Sequence, residues 1–285
     1  MRNNKPKLGQ NFLGDRGAAE KIVDALGDVS NALVVEIGPG RRALTDLLVR
    51  KAGRVIAIEF DRTLAAELRA HYSNESKVEV LEADVLTVDF HAALRRTAGS
   101  PAGGAMPEEF EQVRVLGNLP YYITSDILLH LFDFCEEFQQ LVIMVQREVA
   151  ERIAAEPGSR DYGLLSATAQ LYARVELLFH LPPGAFVPPP KVHSSVLRLS
   201  IDPRFEDLGV KPKEFIRFLK LAFAMKRKTL MNNLRRRYHE PAIRNALSHA
   251  DIRPDIRAEA LSLEATARVF RALESQVDGE MGLRK

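Results

Sequence analysis

Short apolar runs alternate with amphipathic stretches through about the first 200 residues, and then the alternation stops. Ala32–Ile37, Arg54–Glu59, Val78–Glu82, Val113–Leu116 and Leu141–Val145 are rich in Val, Ile and Leu and almost uninterrupted. That is the pattern of strands covered on both faces. Between them Ala43–Lys51, Arg62–His71 and Ser125–Phe134 repeat at helical spacing. The alternation predicts an α/β fold with a parallel sheet and right-handed crossovers. Two further runs, Glu176–Leu181 and Ser195–Ile201, are joined by a loop with no room for a helix and are expected to pair antiparallel. The architecture expected is a seven-stranded sheet with one antiparallel strand.

After Pro203 only helical patterns remain: Pro212–Met225, Lys228–Tyr238, Pro241–Ala250 and Leu263–Leu273, with the proline-broken "DIRPDIRAE" before the last. A boundary near 203 divides the chain into a sheet domain over 1–202 and a small all-helical domain over 203–285. Residues 97–112 are small, polar and rich in Gly and Pro, and predict a surface insertion before the fourth strand.

Composition adds mainly exclusions. With 285 residues, 46% of them hydrophobic and 27% charged, the chain has the make-up of two globular domains. A single cysteine, Cys135, excludes an intramolecular disulfide and a cysteine-built metal site. The seven histidines are scattered without metal-ligand spacing, so no metal is expected. No run approaches the roughly 18 uncharged apolar residues of a membrane span, and the N-terminus has no apolar core of signal-peptide length. A soluble, cytoplasmic, monomeric protein is expected. Net charge is only +2, but between Lys211 and Arg244 eleven Lys or Arg face two acids. The densest part is "KRKTLMNNLRRR", with Lys226, Arg227, Lys228, Arg235, Arg236 and Arg237. On a helix, Leu230, Met231 and Leu234 are spaced to form its buried stripe, with the cations around it. Such a surface suits an anionic polymer; the plain alternative is a solvated helix face.

The candidate chemistry lies at strand ends. "VVEIGPGRRALTD" (34–46) follows a strand and opens a helix, and Gly38, Gly40 and Ala43 satisfy G-x-G-x-x-G/A. That loop lets a nucleotide-like ligand approach backbone at a helix N-terminus, or it is a tight turn that needs glycine. Glu59 ends the second strand 21 residues after Gly38, where a carboxylate accepts from ribose hydroxyls. Pro39 stiffens the loop and removes a donor, which favours S-adenosylmethionine over a dinucleotide. Asp84, ending the third strand, either accepts from an adenine amino group or caps the next helix. "GNLPYYITSD" (117–126) leaves the fourth strand with an amide, a proline and two aromatics. The Asn118 side-chain oxygen and the Leu119 carbonyl suit an exocyclic amine as acceptors, and Tyr121 offers a face for its base.

In order, "GQNFL" (9–13), "EIGPG" (36–40), "IEFDR" (58–62), "EADVL" (82–86), "GNLPY" (117–121), "QREVAERI" (146–153) and "FVPPPKVHSSV" (186–196) resemble the small-subunit ribosomal RNA adenine N6,N6-dimethyltransferases across nearly the whole chain. The resemblance implies a Rossmann-like S-adenosylmethionine-dependent methyltransferase sheet with a helical rRNA-binding domain. It implies dimethylation of two adjacent adenosines near the 3′ end of small-subunit (16S) rRNA, within an assembling 30S particle. Carried onto this chain, it assigns cofactor contacts to Asn11, Leu13, Gly38, Glu59, Asp84 and Asn118, stacking to Tyr121, and the other face of the base to Phe186. "GQNFL" then reads as a flap over the cofactor. Three prolines hold Phe186 and Lys191 on a stiff segment, with Lys191 near phosphate, and Arg147 meets RNA. Two departures stand out: Arg42 where relatives carry Gly or Ala, and Tyr122 where Asn is common. Three other readings remain open. They are the large-subunit rRNA methyltransferases of macrolide resistance, a non-catalytic assembly or transcription factor on the same fold, and a nicotinamide dehydrogenase.

Overall fold

The computed structural model describes residues 11–97, 110 and 112–282. The elements of the first half are β1 (Phe12–Leu13), α1 (Arg16–Asp24), β2 (Ala32–Ile37), α2 (Thr45–Lys51), β3 (Arg54–Glu59), α3 (Arg62–His71), β4 (Val78–Glu82), α4 (Phe90–Thr97), β5 (Gln112–Asn118) and α5 (Thr124–Phe132). There follow β6 (Gln140–Gln146), α6 (Arg147–Ile153), α7 (Leu164–Tyr172), β7 (Ala173–Leu181), β8 (Phe186–Val187) and β9 (Ser194–Ile201). Helices α8 (Pro212–Ala222), α9 (Leu230–Leu234), α10 (Glu240–His249) and α11 (Leu263–Gly282) complete the chain. Most of the expected insertion and the Gly9-Gln10 start of "GQNFL" lie outside the described residues.

Seven strands form one sheet in the order β4-β3-β2-β5-β6-β9-β7. The strands from β4 to β6 are parallel, and β9 enters antiparallel to β6, from Gln140↔Ser200 to Gln146↔Ser194. The chain therefore lays down the edge strand β7 first and returns to fill the gap with β9. All six residues of β2 are buried, and Val34, Val55, Val115 and Val142 have no exposed surface. Burying each such side chain contributes about 1.5–3 kcal/mol, which is why an uninterrupted apolar run here is a strand and not a loop. Aspartates start the helices beside it: Asp15 Oδ1 accepts from Ala18 N at 3.0 Å, and Asp61 Oδ1 from Thr63 N at 2.8 Å.

Helix α2 starts later than the Ala43 expected, because the loop before it is left-handed at three residues. Gly38, Gly40 and Arg42 have φ of 69°, 52° and 69°. A Cβ on Gly40 would also lie 3.0 Å from two carbons of the Phe12 ring, so glycine is required there twice over. Arg42 holds a conformation that costs an L-residue roughly 1–2 kcal/mol. Its neighbour Arg41 stacks over the Phe12 ring at 4.5 Å.

The chain divides into two units, residues 1–150 with 176–201, and 151–175 with 202–285. The break after Ile201 lies beside the expected boundary, but that boundary left 151–175 with the sheet. Tyr162, Ala167 and Leu171 instead share a buried core with Phe215, Leu219, Ile243 and Phe270. Helix α7 buries Ser166, Ala167, Thr168, Ala169 and Leu171, nearly its whole circumference, and needs helices around it.

In the helical unit Leu230, Met231 and Leu234 are buried as expected, yet α9 is only five residues long instead of running over Lys228–Tyr238. Thr229 Oγ1 accepts from Asn232 N at 3.3 Å and starts the helix after the first basic cluster. Asn233, 1% exposed, donates through Nδ2 to the carbonyls of Ala222 at 2.6 Å, the last residue of α8, and Met225 at 3.3 Å, just past it.

Candidate active site

A cavity of about 300 Å3 opens at the carboxyl ends of β2, β3, β4 and β5. Here β2 has β3 on one side and β5 on the other, and the chain reverses direction across the sheet, so the strand ends diverge into a crevice. Parallel register brings the polar ends together. Ile37 lies beside Ile58 and Gly117, which puts Gly38 next to Asn118 and Glu59.

Glu59 is 4% exposed. Its Oε2 accepts from Gly40 N at 3.0 Å and its Oε1 from Asp61 N at 2.9 Å. Burial pushes its carboxyl above the usual range, against those two hydrogen bonds. Asp84 caps as the second of its two readings expected: Oδ1 accepts from Leu86 N at 3.0 Å and starts a short turn, and the residue also lines the cavity. Asn118 Nδ2 donates to the Asn11 carbonyl at 3.3 Å, which turns its Oδ1 the other way. Leu119 N donates to Met144 O at 3.0 Å, and Pro120 O accepts from Ile123 N at 3.2 Å and Thr124 Oγ1 at 3.1 Å. The backbone of "NLPY" is thereby fixed. Tyr121 lines the cavity with its hydroxyl 2.9 Å from Ser194 Oγ, and Tyr122, also at the cavity, is 68% exposed.

Asn11, Leu13, Gly38, Gly40, Glu59, Asp84, Asn118, Leu119 and Tyr121 are all brought to this one cavity. Phe186 is not. It pairs with Leu13 across the β1–β8 ribbon and is 2% exposed within the sheet unit's core. An aromatic buried this way has no face for a base, so its stacking role is not supported by this conformation. Arg147 and Lys191 are exposed on the sheet unit. Lys226, Arg227, Lys228, Arg235, Arg236 and Arg237 are exposed on the helical unit, with Arg235 Nη2 on Glu240 Oε2 at 2.6 Å and Arg237 over the Tyr238 ring at 5.7 Å. Arg42, the departure in the loop, is absent from the cavity lining, where Arg41 stands instead.

Among the lining residues that the sequence did not single out, two carry chemistry, Phe60 and Glu36. Phe60 follows Glu59 and is 59% exposed, an aromatic placed in water between a strand and a helix cap. Glu36 is 1% exposed inside β2, and its Oε2 has no hydrogen-bond partner. Burial pushes its carboxyl up to about 8, reinforced by the Glu59 and Asp46 carboxylates and opposed by the Thr45 hydroxyl. The signal for Glu36 was a charge inside an otherwise all-apolar strand. Among the described residues no group of three or more His, Cys, Asp or Glu is placed to hold a metal, and no helix is long and apolar enough to cross a membrane.

The family model described as ribosomal RNA adenine dimethylase matches residues 1–275. The chain belongs to the ribosomal RNA adenine dimethylase family. It is 55% identical over 276 residues to the ribosomal RNA small subunit methyltransferase A of Koribacter versatilis, covering 95% of this chain and 96% of that one. The protein of the same name from Acidobacterium capsulatum is 53% identical, with 95% and 92% covered. Among solved structures, a dimethyladenosine transferase from Plasmodium falciparum shares the fold, with a TM-score of 0.76, 24% identity and coverage of 93% and 98%. The 23S rRNA methyltransferase ErmE gives a TM-score of 0.66 at 25% identity, covering 93% of this chain and all of its own. As a member of the dimethylase family the chain is an S-adenosylmethionine-dependent rRNA adenine methyltransferase, and the nicotinamide and non-catalytic readings give way. The cavity fits the cofactor. Its lining offers a cationic, hydroxyl-rich ligand the strand-end carboxyl groups of Glu59 and Asp84 and the glycines Gly38 and Gly40, and it includes Glu36 with its buried, unpartnered oxygen.

Glu36 gives a pH test with a fixed sign. Its folded value of about 8 lies above the ordinary 4.5, so the folded chain keeps a proton that the unfolded chain has released. The stability this contributes is present at low pH and is lost as pH rises toward 8. Glu36→Gln removes that loss. In urea unfolding the variant should match the parent near pH 5 and exceed it by roughly 3–5 kcal/mol near pH 9. An equal difference at both values would contradict a neutral buried Glu36.

Proposed function

We propose that this chain methylates the N6 amines of two adjacent adenosines in the 3′-terminal hairpin of small-subunit rRNA, acting on the assembling 30S particle. The observation that carries the chemistry is the rigid Asn118-Leu119-Pro120-Tyr121 turn at the mouth of the cavity. The small-subunit target is supported by the names of the relatives more than 50% identical to the chain. Leu119 and the "PPPKV" segment favour that group over the large-subunit enzymes.

An adenine N6 lone pair is delocalised into the ring and is a poor nucleophile. Acceptance of its two hydrogens by Asn118 Oδ1 and the Leu119 carbonyl favours a pyramidal nitrogen and directs the lone pair into the cavity. The Tyr121 face holds the base, a stacking interaction worth about 1–3 kcal/mol. Glu59 accepts from ribose hydroxyls and Asp84 from the adenine amino group of the cofactor, while Asn11, Leu13, Gly38 and Gly40 shape its berth. When bound, S-adenosylmethionine supplies an electrophilic methyl group on a sulfonium. No strong base is required, because the amine becomes acidic once methylated and cationic. The catalytic work of the protein is placement. Arg147, Lys191 and the basic surface around α9 dock on rRNA phosphates.

Cofactor binding and turnover should therefore separate. Glu59→Gln keeps one acceptor oxygen and loses the charge, and should weaken S-adenosylmethionine binding by roughly 1.5–3 kcal/mol in calorimetry. Tyr121→Ala should bind cofactor like the parent yet transfer methyl slowly. Tyr121→Ala that folds but no longer binds cofactor would sink the stacking role. Replacing Arg235, Arg236 and Arg237 together by Gln should weaken subunit binding and flatten its log–log salt slope by about 0.7–0.9 for each phosphate no longer neutralised. Cofactor affinity should not change. Parental binding across a salt titration would reduce this surface to a solvated face.

A further inference from the structure

The Tyr121 hydroxyl is engaged within the protein. It lies 2.9 Å from Oγ of Ser194, the first residue of β9 and one with no exposed surface. The serine stands on a firm base. It sits opposite Gln146 in the β6–β9 ladder, and the next ladder bond runs from Arg147 N to His193 O at 3.0 Å. Its neighbour Ser195 is committed elsewhere, with Oγ 2.8 Å from His180 Nδ1 on β7. Of the two adjacent serines, one joins β9 to β7 and the other reaches the motif tyrosine.

Tyr121 follows β5, whereas Ser194 begins β9, two places along in the order β5-β6-β9. Strands lie about 4.8 Å apart, so the tyrosine side chain spans the carboxyl end of β6 to make this hydrogen bond. The backbone bonds of Leu119 and Pro120 fix the turn, but none of them fixes the side-chain torsions of Tyr121. Without a tether at its far end the ring is free to change rotamer and leave the cavity. With the tether, both ends of the ring axis are held, and the in-plane preference of a phenol hydrogen bond limits its tilt.

We propose that Ser194 is a positioning residue for methyl transfer, its buried hydroxyl holding the Tyr121 ring where a target adenine can stack. The proposal rests on the stacking role given to Tyr121 above. It also means that the Tyr121 hydroxyl takes no proton from the substrate amine, so deleting it and deleting its partner should have the same consequence.

The test is a double-mutant cycle measured in single turnover with saturating S-adenosylmethionine and undermethylated small subunits. Ser194→Ala and Tyr121→Phe should each slow methyl transfer about tenfold, the worth of one hydrogen bond. The double variant should be no slower than either, because the two changes delete the same hydrogen bond. Cofactor Kd should stay at the parental value in all three, which a general loosening of the fold would not leave unmoved. Ser194→Ala at the parental rate, or additive effects in the double variant, overturns the proposal. Should Ser194→Ala fail to fold, Tyr121→Phe keeps the ring and deletes the hydrogen bond, and a parental rate there overturns the proposal equally. Tyr121→Ala separates the two claims. If it transfers methyl at full rate, both the stacking role and the positioning role fall; if it is slow while Ser194→Ala is not, only the positioning role falls.

Discussion

Both oxygens of the buried Glu59 carboxylate accept backbone N–H groups, one from Gly40 in the loop after β2 and one from Asp61 in the turn after β3. The sheet ladder ends at these residues and supplies no partners for either group. A single side chain therefore ties two loops to one strand end, and charge-assisted bonds of this kind are stronger than neutral ones. The rest of the crevice depends on that tie. It holds Gly40 in its left-handed conformation against the Phe12 ring, which in turn carries the Arg41 guanidinium. The same carboxylate is the acceptor proposed for the cofactor ribose, so the group that builds the cavity also recognises what enters it.

Placement on the substrate side is built differently. The "NLPY" turn takes its backbone anchors from β6 and from the first turn of α5, through Met144, Ile123 and Thr124, and its ring anchor from β9. One strand of the sheet runs antiparallel, and this brings the start of β9, with Ser194, to the same edge as the carboxyl ends of β5 and β6. A parallel β9 would present its other end there. The antiparallel strand is thus part of the site as well as of the core. Chemistry that needs two acceptors and a flat platform, but no base, is well served by such fixed parts.

The strands β2, β3 and β4 were legible to the residue: burial on both faces leaves β2 and β3 as nearly apolar runs, and the half-buried β4 keeps Val78, Val80 and Leu81 between polar ends. The polar residues that line the cavity were legible for a related reason, since Gly38, Glu59, Asp84 and Asn118 stand at or just past the ends of β2, β3, β4 and β5. Contacts between distant residues were not. Phe186 read as an aromatic on a stiff polyproline segment, but pairing with Leu13 draws it into the core. The 151–175 segment lies between strands in sequence, yet its apolar helix is completed by the helical unit. The short α9 is tied to the end of α8 by an asparagine bonding to carbonyls 11 and 8 residues earlier, contacts that no local pattern marks. Ser194 meets Tyr121 across 73 residues, with nothing local to mark it. Glu36 left a sign, a charge within β2, that periodicity alone does not weigh.

The central claim is that this cavity directs methyl groups to N6 of adjacent adenosines in small-subunit rRNA. It is tested most directly by incubating the protein with labelled S-adenosylmethionine and undermethylated small subunits, then mapping the modified nucleotides by mass spectrometry. The account predicts dimethylated N6 on two neighbouring adenosines of the 3′-terminal hairpin and no label on large-subunit rRNA offered in parallel. Label confined to large-subunit rRNA, or on a base whose exocyclic amine is untouched, would contradict it.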